Sequence, residues 1–114
     1  MSKVLEKATA HFRNKIGGAM RKFHVEEWDC DIYVRNSSTL KEEAKVLELS
    51  QQGKTVEALV ESIIVKARNE DGSKMFTMAD KVTFMNEVDP QVIIKVASEI
   101  NSVPLDTVED AEKN

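Results

Sequence analysis

Apolar residues recur along this chain at helical spacing in five places and at strand spacing in one. Val4, Leu5, Ala8, Phe12 and Ile16 fall mostly four apart with Lys, Glu and Arg between them, which predicts an amphipathic helix over 3–16. Gly17-Gly18 ends it, because paired glycines are unfavourable inside a helix and tolerated at its C-terminus. The period then shortens to two. Phe23 and Val25 alternate with polar neighbours, and "DIYVRN" is short and rich in β-branched and aromatic types. Between them Asp29 and Asp31 in "WDCD" favour a turn, so a β-hairpin is expected at about 20–36. Two strands alone are marginal in water, and helices must cover one face.

Thr39 and Glu42 have the spacing of a capping box and open a second helix, whose apolar side is Leu40, Ala44, Val46, Leu47 and Leu49. "QQGK" interrupts it, and Thr55 is placed to cap the next helix. That third helix carries the clearest stripe in the chain, Val56, Leu59, Val60, Ile63, Ile64 and Ala67, and is the expected centre of the core. It ends at "RNEDGS", where Gly72 can take positive φ. Thr77 and Asp80 repeat the capping spacing before a short helix with Met78, Val82, Phe84 and Met85. Asp89-Pro90 then supplies an N-cap and a first-turn proline for a last helix whose apolar face is Val92, Ile93, Val96, Ala97 and Ile100. The pattern predicts a mainly α, small single domain of about five helices with a β-hairpin in its N-terminal half, over 1–103. Residues 104–114, rich in acidic residues, are expected to form a flexible acidic tail.

Length and composition agree with one soluble domain: 114 residues, 41% hydrophobic and 32% charged. A net charge of -4 weighs against nucleic acid as the main partner, which calls for a clustered basic surface. Cys30 is the only cysteine, so no intramolecular disulfide can form, and a reducing compartment fits best. The charged start "MSKVLEKATAHFRNK" does not read as a signal peptide, and no apolar run approaches a membrane span.

The spacing of the candidate ligands argues against bound ions and phosphates. If Gly72 were the sixth position of an EF-hand loop, the ligand positions would fall on Ala67, Asn69, Asp71 and Met78, which lack the anchoring and closing carboxylates. The glycine-rich run and Gly-Lys-Ser/Thr ending of a phosphate loop are absent too. "NEDGS" therefore reads as a helix-ending turn. His11, His24 and Cys30 have no paired metal-ligand spacing, and Asp29 and Asp31 beside Cys30 disfavour a thiolate. No cofactor and no enzymatic activity are expected. Glu26-Glu27 and Glu42-Glu43 read as solvated surface. Trp28 and Tyr33 could stack bases, but their acidic neighbours would repel phosphate, and packing of Trp28 against a helix is the simpler reading. Met75, Phe76, Met78, Phe84 and Met85 can be core filler, which is the default, or a groove for another chain; they are the candidate partner-binding residues.

The order "EEWDCDIYVRN", "STLKEEAKVLEL", "LVESIIVKARNEDGSKMFTMADK" and "DPQVIIKVASEI", over about residues 20–101, resembles the tail assembly chaperones of long-tailed bacteriophages. Its most specific part runs from Asp71-Gly72 through Phe76-Thr77 to Asp80. The resemblance implies a non-enzymatic, homo-oligomeric protein that binds the tape measure protein, keeps it soluble and promotes assembly of the tail tube. It implies action in the host cell cytoplasm and absence from the mature virion. In that family a translational frameshift often adds a C-terminal domain assigned to the major tail protein; this chain would correspond to the short form. On the resemblance and the apolar faces together, the expected client surfaces are the Met75–Met85 segment and the exposed faces of the helices around Leu47 and Ile63. The alternative reading is a small helical structural or adaptor subunit of a phage or bacterial complex. An enzyme or metal-binding regulator is the third and weakest.

Overall fold

The computed structural model describes residues 2–102. The first helix, α1 (Lys3–Ile16), is capped by Ser2, whose hydroxyl accepts from the Leu5 N–H at 3.0 Å, and it stops at Gly17. β1 (Arg21–Val25) and β2 (Cys30–Val34) form the expected antiparallel hairpin, with Val25 opposite Cys30 and Arg21 opposite Val34. The turn is Glu26–Asp29. Asp29 takes the left-handed conformation at φ 46°, as acidic residues tolerate, while Asp31 lies inside β2, pairing across the strands with His24.

α2 (Leu40–Gln51) opens on the expected capping box: the Glu42 N–H donates to the Thr39 hydroxyl at 3.1 Å and the Thr39 N–H donates to the Glu42 carboxylate at 2.8 Å. Its C-terminus closes on Gly53, at φ 77°, with the Lys54 N–H reaching back to the Leu49 carbonyl and the Gly53 N–H to that of Ser50. α3 (Thr55–Lys66) follows at once. Thr55 is its first residue and not its cap, because the preceding turn already commits Lys54 to the cap position.

The chain after α3 departs most from expectation. "NEDGS" does not simply end a helix. Ala67 is extended, and Arg68 pairs antiparallel with both Tyr33 and Lys74, adding a one-bridge strand to the edge of β2. The Tyr33 and Arg68 backbones exchange both hydrogen bonds, at 3.0 and 2.9 Å. The loop is the tip of a second small hairpin, closed by the Asn69 N–H on the Ser73 carbonyl, with Gly72 at φ 88° as predicted. The Asp71 carboxylate accepts from the Ser73 hydroxyl and N–H, which hold it below the usual aspartate range. A single 3-10 turn, Met78–Asp80, then leads into α4 (Lys81–Glu87), with the Thr77 N–H on the Asp80 carboxylate at 2.8 Å. α5 (Pro90–Ile100) begins as expected, Asp89 accepting from the Gln91 N–H and Pro90 filling the first turn.

The core lies where the third stripe placed it. Val60, Ile63, Ile64 and Ala67 of α3 and its end meet Val92, Ile93, Val96, Ala97 and Ile100 of α5, with Val25, Ile32 and Val34 of the hairpin across them. This is a mainly helical single domain with five helices and a hairpin, as the pattern predicted. The acidic-tail expectation for 104–114 lies outside the described residues.

Two polar groups differ from their surface reading. Glu42 and Glu43 are not merely solvated: besides its capping role Glu42 lies 3.6 Å from Arg68, and Glu43 meets Lys66 at 2.7 Å and accepts from the Ser38 hydroxyl. Lys66 first, then Ser38, hold the Glu43 carboxyl below the usual glutamate value. A carboxyl depressed by folding contributes stability above its unfolded pKa and loses it as pH falls through the folded one. The native chain should therefore lose more melting temperature than a Glu43→Gln variant when acidified from neutrality through the carboxylate range. Equal losses would show that the pair contributes nothing. Glu61, which the apolar stripe gave no reason to single out, is 3% exposed in α3, and its Oε2 has no hydrogen-bond partner among the described residues. An unpaired buried acceptor costs about 1–3 kcal/mol, and more when it is charged.

Candidate functional site

The helices expected to be amphipathic do not all bury their apolar sides. α1 contributes no buried residue: Leu5 and Ala8 are exposed, and Phe12 and Ile16 half-buried, along one face at helical spacing. Val4 beside them is 76% exposed. In α2 only Leu49 is buried. Leu40, at 81% exposure, Ala44 and Leu47 stand in solvent at i, i+4 and i+7. The helix face around Leu47 is thus exposed, and the exposed face of the helix that carries Ile63 offers less. Ile63 is wholly buried, and on α3 only Val56 is a large exposed apolar residue.

The five candidate residues between Met75 and Met85 divide into two groups. Phe84 is buried and Phe76 half-buried, their rings edge-to-face at 4.9 Å and 83°, the favoured aromatic geometry. Trp28 packs on Phe84 at 6.1 Å, so its simpler reading holds. With Met75, Cys30 and Val88 these rings line an apolar depression of about 440 Å³ between the hairpin turn and α4. Burial first, then Asp31 and Asp29, pushes the Cys30 thiol up, so it stays protonated at neutral pH.

Met78 and Met85 lie elsewhere. They are exposed on the outer side of the 3-10 turn and α4, together with Val82 at 70% exposure. The cause is the helical period: 78, 82 and 85 share one face, and 84 points away from it. Residue type groups all five, whereas spacing joins Val82 to Met78 and Met85.

Three helices therefore carry short rows of apolar side chains that the described fold leaves wholly or partly uncovered. Each row has the spacing by which a helix seats against another helix. No such arrangement forms or breaks a bond. Near the α4 row and the depression, Glu27 pairs with Lys95 at 2.9 Å, Glu57 with Lys81 at 3.4 Å, and Asp80 is engaged in its cap. Among the described residues no cluster of three or more His, Cys, Asp or Glu could hold a metal ion, and no helix is long and apolar enough to cross a membrane.

Comparison with known proteins gives a fold relationship. No family model matches the chain, and no curated protein matches it in sequence. Among solved structures it is similar to the tail assembly chaperone of bacteriophage HK97, with a TM-score of 0.59 and 17% identity, over 90% of this chain and 99% of that one. At that identity the likeness is one of fold, and it extends over nearly the whole of both chains: this chain shares the architecture of a phage tail assembly chaperone.

Proposed function

We propose that this protein is a tail assembly chaperone of a long-tailed phage, in the host cytoplasm, that binds the tape measure protein, keeps it soluble and promotes building of the tail tube. One observation carries the reading: a domain with the architecture of the HK97 chaperone leaves apolar rows exposed on α1, α2 and α4. A long helical client has apolar stripes of the same spacing, and a helix laid along such a row shields both. Several copies along one client would multiply weak individual contacts, as a reversible holder requires. The surplus of acidic residues would keep the loaded complex in solution. Contact with the major tail protein belongs, on the same resemblance, to a longer frameshifted product. The role needs no catalytic group.

The same rows would suit a small structural subunit that stays in the particle. Quantitative protein analysis of purified virions separates the two. A chaperone is abundant in infected cells and missing from finished tails; a stoichiometric copy number in the virion would make the structural reading the right one.

A further inference from the structure

We propose that the apolar depression between the hairpin turn and α4 is the seat for α1 of a second copy of this chain, so that copies associate head to tail. The first half of the fit is a helix without a support. α1 contributes no buried residue, and none of its side chains joins an ion pair among the described residues. A helix of 14 residues is marginal in water without packing, and the row of Leu5, Ala8, Phe12 and Ile16 is the face that packing would use. The helix is also basic. Lys3, Lys7, Arg13 and Lys15 stand against Glu6 alone, a surplus of three positive charges with His11 neutral. At helical period Arg13 and Lys15 flank the row on its two sides, close to Phe12.

The second half is an apolar hollow with an acidic rim. At about 440 Å³ the depression has the size of pockets that enclose bulky groups, and Trp28, Phe76 and Phe84 give it aromatic walls. Asp80 and Thr83 supply polar groups to its lining. Next to the lining residues along the chain stand five more carboxylates, Glu27, Asp29, Asp31, Glu87 and Asp89, against the cations of Lys74 and Lys81. Lys95 meets Glu27, and Lys81 is drawn to Glu57, so little positive charge is left to balance the rim. Asp31 and Asp29 lie close enough to act on the Cys30 thiol, and their field therefore reaches into the hollow. The rim thus has the sign opposite to that of α1.

Position makes the contact one between copies. α1 is fastened at the strand end of the hairpin, where the Asn36 side chain donates to the carbonyls of Lys15 and Ala19 at 3.4 and 3.1 Å. The depression lies at the turn end, beyond strands of five residues that span about 17 Å. Shape selects this seat over the other apolar faces. The α2 and α4 rows are convex, whereas a phenyl ring between two cations calls for a hollow edged with carboxylates. A copy that inserts α1 still offers its own depression, so the interface is heterologous and adds copies until rotation closes the set. The α2 and α4 rows stay open to a client. The inference does not rest on the chaperone reading, because it uses only the two faces and their charges.

Sedimentation velocity of the purified full chain over a range of concentrations tests it. The mass should rise with concentration above that of one copy, and rise less as salt is added. Phe12→Ser should weaken association about tenfold or more. Arg13→Glu, on an exposed side chain, gives a second α1 variant if Phe12→Ser fails to fold. Thr83→Lys, exposed at the edge of the depression, should weaken association likewise and keep the melting transition. Mixing an α1 variant with Thr83→Lys brings together one intact depression and one intact helix, and should restore a one-to-one complex that grows no further. A chain that stays monomeric at every concentration, association that survives both kinds of variant, or variants that do not complement each other on mixing would overturn the proposal. No client enters these measurements, so their failure leaves the chaperone reading to its own test.

Discussion

An Ile63→Asp chain is expected to lose its cooperative melting transition. Ile63 is 0% exposed at the middle of α3, where that helix meets α5 and the hairpin. Removing its side chain from the core forfeits about 1.5–3 kcal/mol of burial, and a carboxylate left there without a partner adds several more. A domain of this size has roughly 5–15 kcal/mol in total, so the sum is comparable with everything that holds it folded. Ile63→Val, which keeps the shape nearly whole, should cost only about 0.5–1.5 kcal/mol. Circular dichroism melts of the two variants check this, and a normal transition for Ile63→Asp would show that the core is misplaced.

The second large effect concerns association, with folding unchanged. Met78→Ser, Val82→Ser and Met85→Ser combined should leave the melt within about 1 kcal/mol of the native chain, because these side chains are exposed. Client binding or self-association should fall about a hundredfold, taking about 1 kcal/mol for each apolar side chain that a partner half-covers. The pair Met78→Ser and Met85→Ser alone should show the same separation to a smaller degree. Unfolding without a separable binding defect would return the row to the core.

The elements were legible in the sequence because local chemistry defines their ends. Thr39 with Glu42, Asp89 with Pro90, and glycines at 53 and 72 act within a few residues of themselves, and the structure uses each of them. What covers each apolar face was not legible. Periodicity shows that Leu5, Phe12 and Ile16, or Leu40 and Leu47, share a side; it cannot show that no neighbouring element arrives there. The Arg68–Tyr33 bridge was hidden for a related reason, since a single antiparallel pair across 35 positions leaves no pattern in either segment. Lys66 and Glu43 are likewise brought together only by the packing of α2 on α3. In the candidate site Trp28 and Cys30 were absent from the partner-binding set because their contact with Phe84 and Met75 depends on the hairpin folding over α4. The split of Met78 and Met85 from Phe84 was readable from spacing alone, and grouping by residue type obscured it.

The buried α3–α5 layer holds the molecule's shape, and on the proposed function the exposed rows are the part that meets another chain. A small helical domain has many apolar positions for its volume, and here a substantial number remain uncovered. Exposed rows of this kind tend to aggregate unless something counters them, and a net negative charge opposes that tendency.

The most direct test of the proposed function is co-expression of this chain with a phage tape measure protein, followed by measurement of how much of the client stays soluble. The native chain should keep the client in the supernatant as an isolable complex, and the Met78, Val82 and Met85 serine variant, equally folded, should leave it in the pellet. A client that stays soluble without this chain, or is held as well by the serine variant as by the native one, would contradict the account.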